Sequence, residues 1–127
     1  MANVVFDASA VLALLNDEAG ADAVAARLQA AAISTVNVTE VLTKLSDYGM
    51  TIEQANKSLS ALLLTSYAHD QSLAVDAAAL RPATRARGLS LGDCACLALA
   101  ARLKLPVLTA DGEWAKLDLP VRVEQIR

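Results

Sequence analysis

Short apolar runs alternate along this chain with segments whose apolar residues recur at helical spacing, and that alternation limits the fold more than any other feature. The runs are Val4-Val5-Phe6, Ala32-Ile33-Ser34-Thr35, a weaker Ser66-Tyr67-Ala68, Pro106-Val107-Leu108-Thr109 and an alternating stretch from Val121 to Ile126. Between them, helices are expected over Ser9–Leu15, Gly20–Ala32, Val38 to Gly49, Thr51–Leu64 and from Ser72 onward with a kink at Pro82. A capped, strongly apolar helix follows from Ser90 to Arg102, and a short one from Asp111 to Leu117. Strands that alternate with helices form a mostly parallel sheet, here of four to five strands, because each crossover helix packs back onto a sheet face.

With 127 residues the chain is read as one domain, 1–127. Its apolar fraction is 55% with only 3% aromatic, so the core is Ala, Leu and Val, a mixture suited to helices packed closely on a sheet. The net charge of −3 works against gathering a polyanion by overall field, so such a substrate must be held locally or through metal ions. Charged and polar residues interrupt every candidate membrane span, and the N-terminus has no basic leader region, which places the chain in the cytoplasm. Cys94 and Cys96 would point roughly 200° apart on a helix and are read as small buried hydrophobes, since zinc would lack further ligands.

Four carboxylates stand out against this frame. Asp7 follows Phe6 with no spacer, a costly place for an acid. Glu40 lies in the first turn of the helix after the second strand, Asp93 opens the apolar helix, and Asp111 comes two residues after Thr109. Each has a local structural explanation. Asn37 and Glu40 could form a capping box, Glu40 and Lys44 an i,i+4 pair, Ser90 and Asp93 a reciprocal cap, and Asp111 an N-cap. Residues just past parallel strands nevertheless gather at one sheet edge, where such folds bind ligands. Four acids there would raise each other's pKa unless a cation sat among them, and an oxygen-only set selects Mg²⁺ or Mn²⁺. Phosphate-ester cleavage uses such an ion.

In order and spacing, Asp7 in VFDASA, Glu40 in NVTEVLTKL, Asp93 in GLSLGDCACLALA and Asp111 in VLTAD resemble the acidic quartet of PIN-domain ribonucleases, and most closely the VapC-type toxins of bacterial toxin–antitoxin pairs. The resemblance implies a PIN-like three-layer α/β/α sandwich, Mg²⁺- or Mn²⁺-dependent endoribonuclease activity and a small cognate antitoxin protein as partner. It implies that Asp7 and Asp93 hold the metal most directly, that Glu40 and Asp111 support it, and that the hydroxyls of Ser9 and Thr109 stand beside the metal or the substrate phosphate. In-line displacement leaving a 5′-phosphate and a 3′-hydroxyl is the family expectation.

Arg85 and Arg87, with Arg81, cluster before Asp93, while Arg102 and Lys104 follow it. They read either as a solvated face or as RNA-phosphate contacts. Leu59, Leu62, Leu63 and Leu64 exceed one core-facing stripe and are expected to wall an antitoxin groove, the alternative being packing on the sheet or in a homodimer seam. A homodimer is the expected assembly. The rival functions are a housekeeping RNA-processing nuclease and a non-catalytic PIN-like binding domain. A phospho-acceptor domain built on Asp70 lacks the Lys it would need after the Thr109 strand.

Overall fold

The computed structural model covers Met1–Arg127. Its five strands, β1 (Val4–Phe6), β2 (Ala31–Ser34), β3 (Thr65–Tyr67), β4 (Val107–Thr109) and β5 (Val123–Gln125), form one sheet in the order β3-β2-β1-β4-β5. All four pairings are parallel, with Val4 opposite Ala31, Val5 opposite Val107 and Thr109 opposite Gln125. The first strand is therefore central, which is why Val4, Val5 and Phe6 are all fully buried.

Alternation along β1 divides the core into two layers. Val4 and Phe6 join the apolar faces of α1 (Ala8–Leu15), α3 (Thr35–Asp47) and α4 (Ile52–Ser60), together with Val24 from α2 (Ala21–Ala25). Val5 points the other way, into the layer of α5 (Gln71–Ala79) and α7 (Leu91–Leu103). The last helix is buried continuously from Cys94 to Ala100, as an all-apolar helix enclosed on several sides must be. Both cysteines are free and buried within it. The result is the expected α/β/α sandwich, and no helix is long and apolar enough to cross a membrane.

Of the helix expected over Asp111–Leu117 only a 3₁₀ turn at Trp114–Lys116 forms, and three other helix boundaries depart from the sequence reading. The helix expected over Gly20–Ala32 stops at Ala25, and a 3₁₀ turn (Leu28–Ala30) leads into β2, because pairing Ala31–Ser34 beside β1 buries all four residues and overrides the helical propensity of Ala31 and Ala32. Pro82 kinks nothing: α5 ends at Ala79 and Pro82 sits in the first turn of α6 (Arg81–Thr84), where its missing N–H leaves no bond unmade. The third difference bears on function. α4 ends at Ser60, and Leu63 adopts a left-handed conformation (φ 57°) that turns the chain into β3. Leu59 is consequently core, Leu62 and Leu64 lean onto the same core, and only Leu63 is exposed, at 86%. Leu59, Leu62 and Leu63 therefore do not share one face; Leu59 and Leu64, with Val38 from α3, line a cleft of about 220 Å³ instead.

Candidate active site

A parallel sheet brings its strand ends to one edge, and β1 passes into α1 through a single residue. Asp7 must end the strand and cap the helix at once: its Oδ1 accepts from the Ala10 N–H at 2.8 Å, and it is 3% exposed. The carboxylate is also clasped by hydroxyls. Ser9 Oγ donates to it at 2.7 Å and Thr109 Oγ1, at the end of β4, donates to Oδ2 at 2.5 Å. The Ala110 N–H in turn donates to Ser9 Oγ and the Asp111 N–H to Thr109 Oγ1, tying the two strand ends together.

Glu40 is placed by a contact between α3 and α7. Ser34, rather than Asn37, caps α3. Asn37 is thereby free to turn inward, and its Nδ2 donates to Glu40 Oε1 at 2.6 Å and to the Gly92 carbonyl at 3.1 Å. The Glu40 carboxylate fills the space over Gly92, where an added Cβ would lie 2.5 Å from Cδ and 2.6 Å from Oε2. No Glu40–Lys44 ion pair forms. Asp93 does form the expected capping box, its Oδ2 accepting from the Ser90 N–H at 2.8 Å. Asp111 is not an N-cap; its Oδ1 accepts from the Glu113 N–H in a turn before the 3₁₀ segment Trp114–Lys116.

Asp7, Glu40, Asp93 and Asp111 all line one open cleft of about 400 Å³, with Lys44 its one cationic member. Burial raises the Asp7 pKa from 3.8 to about 6 despite the donors around it, and the charge of Asp93 adds to the rise. Glu40 and Asp93 are likewise held above the ordinary carboxylate range by desolvation, reinforced by Asp93 and by Asp111 respectively. The acids thus feel one another as a group.

The donor set fits a hard, hydrated cation. Glu40 Oε2, Asp93 Oδ1 and Asp111 Oδ2 accept no protein hydrogen bond, and no His or Cys lines the cleft. No three Asp, Glu, His or Cys side chains converge into a ready-made metal cage. Mg²⁺ needs none, because it keeps several waters and takes one or two carboxylates directly.

The family model of the PIN domain matches residues 4–119, from β1 past Asp111. The chain belongs to the PIN domain family. PIN nucleases generally use divalent metals. No protein of curated function matches this PIN domain. Among solved structures it is similar to VapBC2 from Rickettsia felis bound to a promoter DNA fragment, with TM-score 0.76 and 16% identity over 96% of this chain and 97% of that one. DNA-bound VapBC from Salmonella typhimurium gives TM-score 0.77 and 15% identity with both chains fully covered. VapBC-5 from Mycobacterium tuberculosis gives 0.65 and 23% over 98% and 99%.

The basic residues are divided. Arg87 bonds Glu113 at 3.3 Å, next to the Asp111 turn, and Arg85 is exposed on the same segment. Arg102 is instead held by Ser72, Asp70 and Asp76, and nine residues of helix put it about 13 Å along α7 from Asp93, away from the cleft. Asp70 itself caps α5. Sequence reasoning missed the Asn37–Gly92 clamp on Glu40. Its signal was available, since Ser34 is as good a cap as Asn37 and lies directly after the apolar run.

Proposed function

We propose that this PIN domain, a single domain over 1–127, is the toxin of a toxin–antitoxin pair and cleaves RNA endonucleolytically with Mg²⁺ or Mn²⁺. The observation that carries the reading is the convergence of Asp7, Glu40, Asp93 and Asp111, from four separate segments, on one cleft with oxygen-only donors. Asp7 and Asp93 would hold the ion, with Glu40 and Asp111 in support. When bound there, a divalent cation would supply an acidified water and offset the charge of the phosphate. Ser9 and Thr109 keep the Asp7 carboxylate fixed and ionised through their donated hydrogen bonds. Glu40, whose Oε1 is pinned by Asn37, presents Oε2 as an acceptor for the proton of the attacking water. Arg85 and Arg87 stand on the segment leading to Asp93 as contacts for neighbouring RNA phosphates.

The toxin reading is supported by likeness to VapBC complexes over nearly the full length of the chain. A small antitoxin protein is accordingly the proposed partner, the toxin a homodimer and the setting the cytoplasm. The deciding experiment maps RNA ends after incubation with Mg²⁺, with Mg²⁺ plus chelator, and with Asp93→Asn protein. Cleavage only in the first arm is expected. Cuts that persist in the other two would remove both the metal and the acid cluster from the reaction.

A further inference from the structure

Between α5 and the first turn of α7 lies a second cavity, of about 530 Å³. Ala74 and Ala78 present small apolar surfaces from α5, Leu91 faces them from α7, and His69 supplies one aromatic ring. The polar members are Arg81, Ser90 and the ring nitrogens of His69. No carboxylate lines this cavity, in contrast to the acid cleft beside it.

The two spaces share a single turn of helix. Ser90 lines the cavity and Asp93 lines the cleft, yet they cap one another, through the Ser90 N–H to Asp93 Oδ2 at 2.8 Å and the Asp93 N–H to Ser90 Oγ at 3.2 Å. Ser90 Oγ therefore serves the fold as an acceptor only, and its own proton remains available. Arg81 is anchored by one bond, from Nη1 to the Leu89 carbonyl at 3.0 Å, which leaves most of its donors unused. His69 Nδ1 is enclosed without a partner. Arg85 and Arg87 follow in the 3₁₀ segment that leads to Ser90, Arg87 paired with Glu113.

We propose that this cavity is a nucleoside subsite that seats the base and sugar of the ribonucleotide next to the cleaved phosphodiester. The inference rests on the ribonuclease reading above and names where its substrate extends. A ligand continuous across one helical turn, met by hydrogen-bond donors at Arg81 and Ser90 and flat and apolar between Ala78 and Leu91, has the chemistry of a single RNA strand. Bases of single-stranded RNA are held by contact with their faces and by donors to their exposed edges, here the Ser90 hydroxyl and the Arg81 guanidinium.

The test uses the full chain in EDTA, titrated with each of the four nucleoside 5′-monophosphates and, separately, with inorganic phosphate, while backbone amide shifts are followed. Nucleotides should move the amides of Ala74, Ala78 and Leu91, and phosphate alone should not. Ala78→Leu fills the cavity from an exposed helical position and should weaken nucleotide binding by about tenfold or more without lowering the thermal midpoint. Ala74→Leu repeats the test from a second exposed position in case the first variant folds poorly. In cleavage assays both should alter which phosphodiester is cut or raise KM. Equal shifts from phosphate would reduce the cavity to an anion site and overturn the proposal. So would shifts confined to the acid cleft, or parental nucleotide affinity in both folded variants, which would leave the cavity to a protein partner. Absence of RNA cleavage by the parent with Mg²⁺ or Mn²⁺ would sink the ribonuclease reading instead, and the nucleotide titration would still decide the cavity.

Discussion

Replacing Asp7 by Asn should stabilise the metal-free protein at neutral pH and leave it nearly unchanged in acid. In the fold Asp7 binds its proton up to a pH of about 6, whereas in the unfolded chain it releases it near 3.8. The folded state therefore holds more protons between those values, and the sign of the linkage is that stability falls as pH rises through this window. At 1.36 kcal/mol per pH unit the ionised carboxylate costs the fold ~3 kcal/mol at pH 8, most of which is absent at pH 4. Asn keeps the size of the side chain and can still accept from the Ala10 N–H, while Ser9 and Thr109 can rotate their hydroxyls to accept from its amide. Urea unfolding of variant and parent in EDTA at pH 4 and pH 8 isolates the effect, because contributions of the other titrating groups are largely common to both proteins. The stability difference, variant minus parent, should grow by ~2–3 kcal/mol from pH 4 to pH 8. A change below ~1 kcal/mol would refute the claim that burial of an ionised Asp7 strains this fold.

Mg²⁺ or Mn²⁺ should raise the melting temperature more at pH 7.5 than at pH 5, since protons compete for carboxylates held above their ordinary range; a rise unaffected by Asp93→Asn would place the ion elsewhere. Gly92→Ala should cut RNA cleavage by ~10² by expelling the Glu40 carboxylate, while its stability stays within ~1 kcal/mol because Ala favours the helix; full activity would show that Glu40 has no fixed seat. Leu63→Gly should stabilise by up to ~1 kcal/mol, since it frees a left-handed backbone and uncovers no core, and a destabilised variant would mean that Leu63 packs against something in solution. Leu59→Asp, by contrast, places a charge in the core and should cost more than ~3 kcal/mol in urea unfolding; tolerance of it would return that residue to a surface role.

The parallel sheet was legible because β1 and β4 carry runs of residues that only a doubly covered strand can bury, and because the Thr51 and Ser90 capping boxes mark helix starts from local chemistry alone. What escaped was set by pairing and by turns. Ala31 and Ala32 are ordinary helix residues until β1 offers them partners, and nothing in the stretch from Ala61 to Leu64 announces that Leu63 will take a positive φ. A four-leucine cluster consequently read as one face, although the turn within it leaves Leu63 exposed while Leu59, Leu62 and Leu64 pack on one core.

The acids themselves were legible for a different reason: each follows or opens an element, and a parallel sheet collects such positions at one edge. Their support was not, because it is made of contacts distant in sequence. Thr109 reaches Asp7 across 102 positions, and Asn37 reaches Gly92 across 55. The same contacts explain how the fold tolerates its like charges. Asp93 raises both Asp7 and Glu40, and Asp111 raises Asp93, so every added negative charge in the cleft works against the next. Donated hydrogen bonds from Thr109, Ala10, Ser9, Asn37 and Ser90 offset part of that cost and fix the carboxylates in place. The remainder persists in the metal-free chain and is what a divalent cation would remove, so in this fold the carboxylates whose repulsion weakens the protein are those that would bind the ion most strongly.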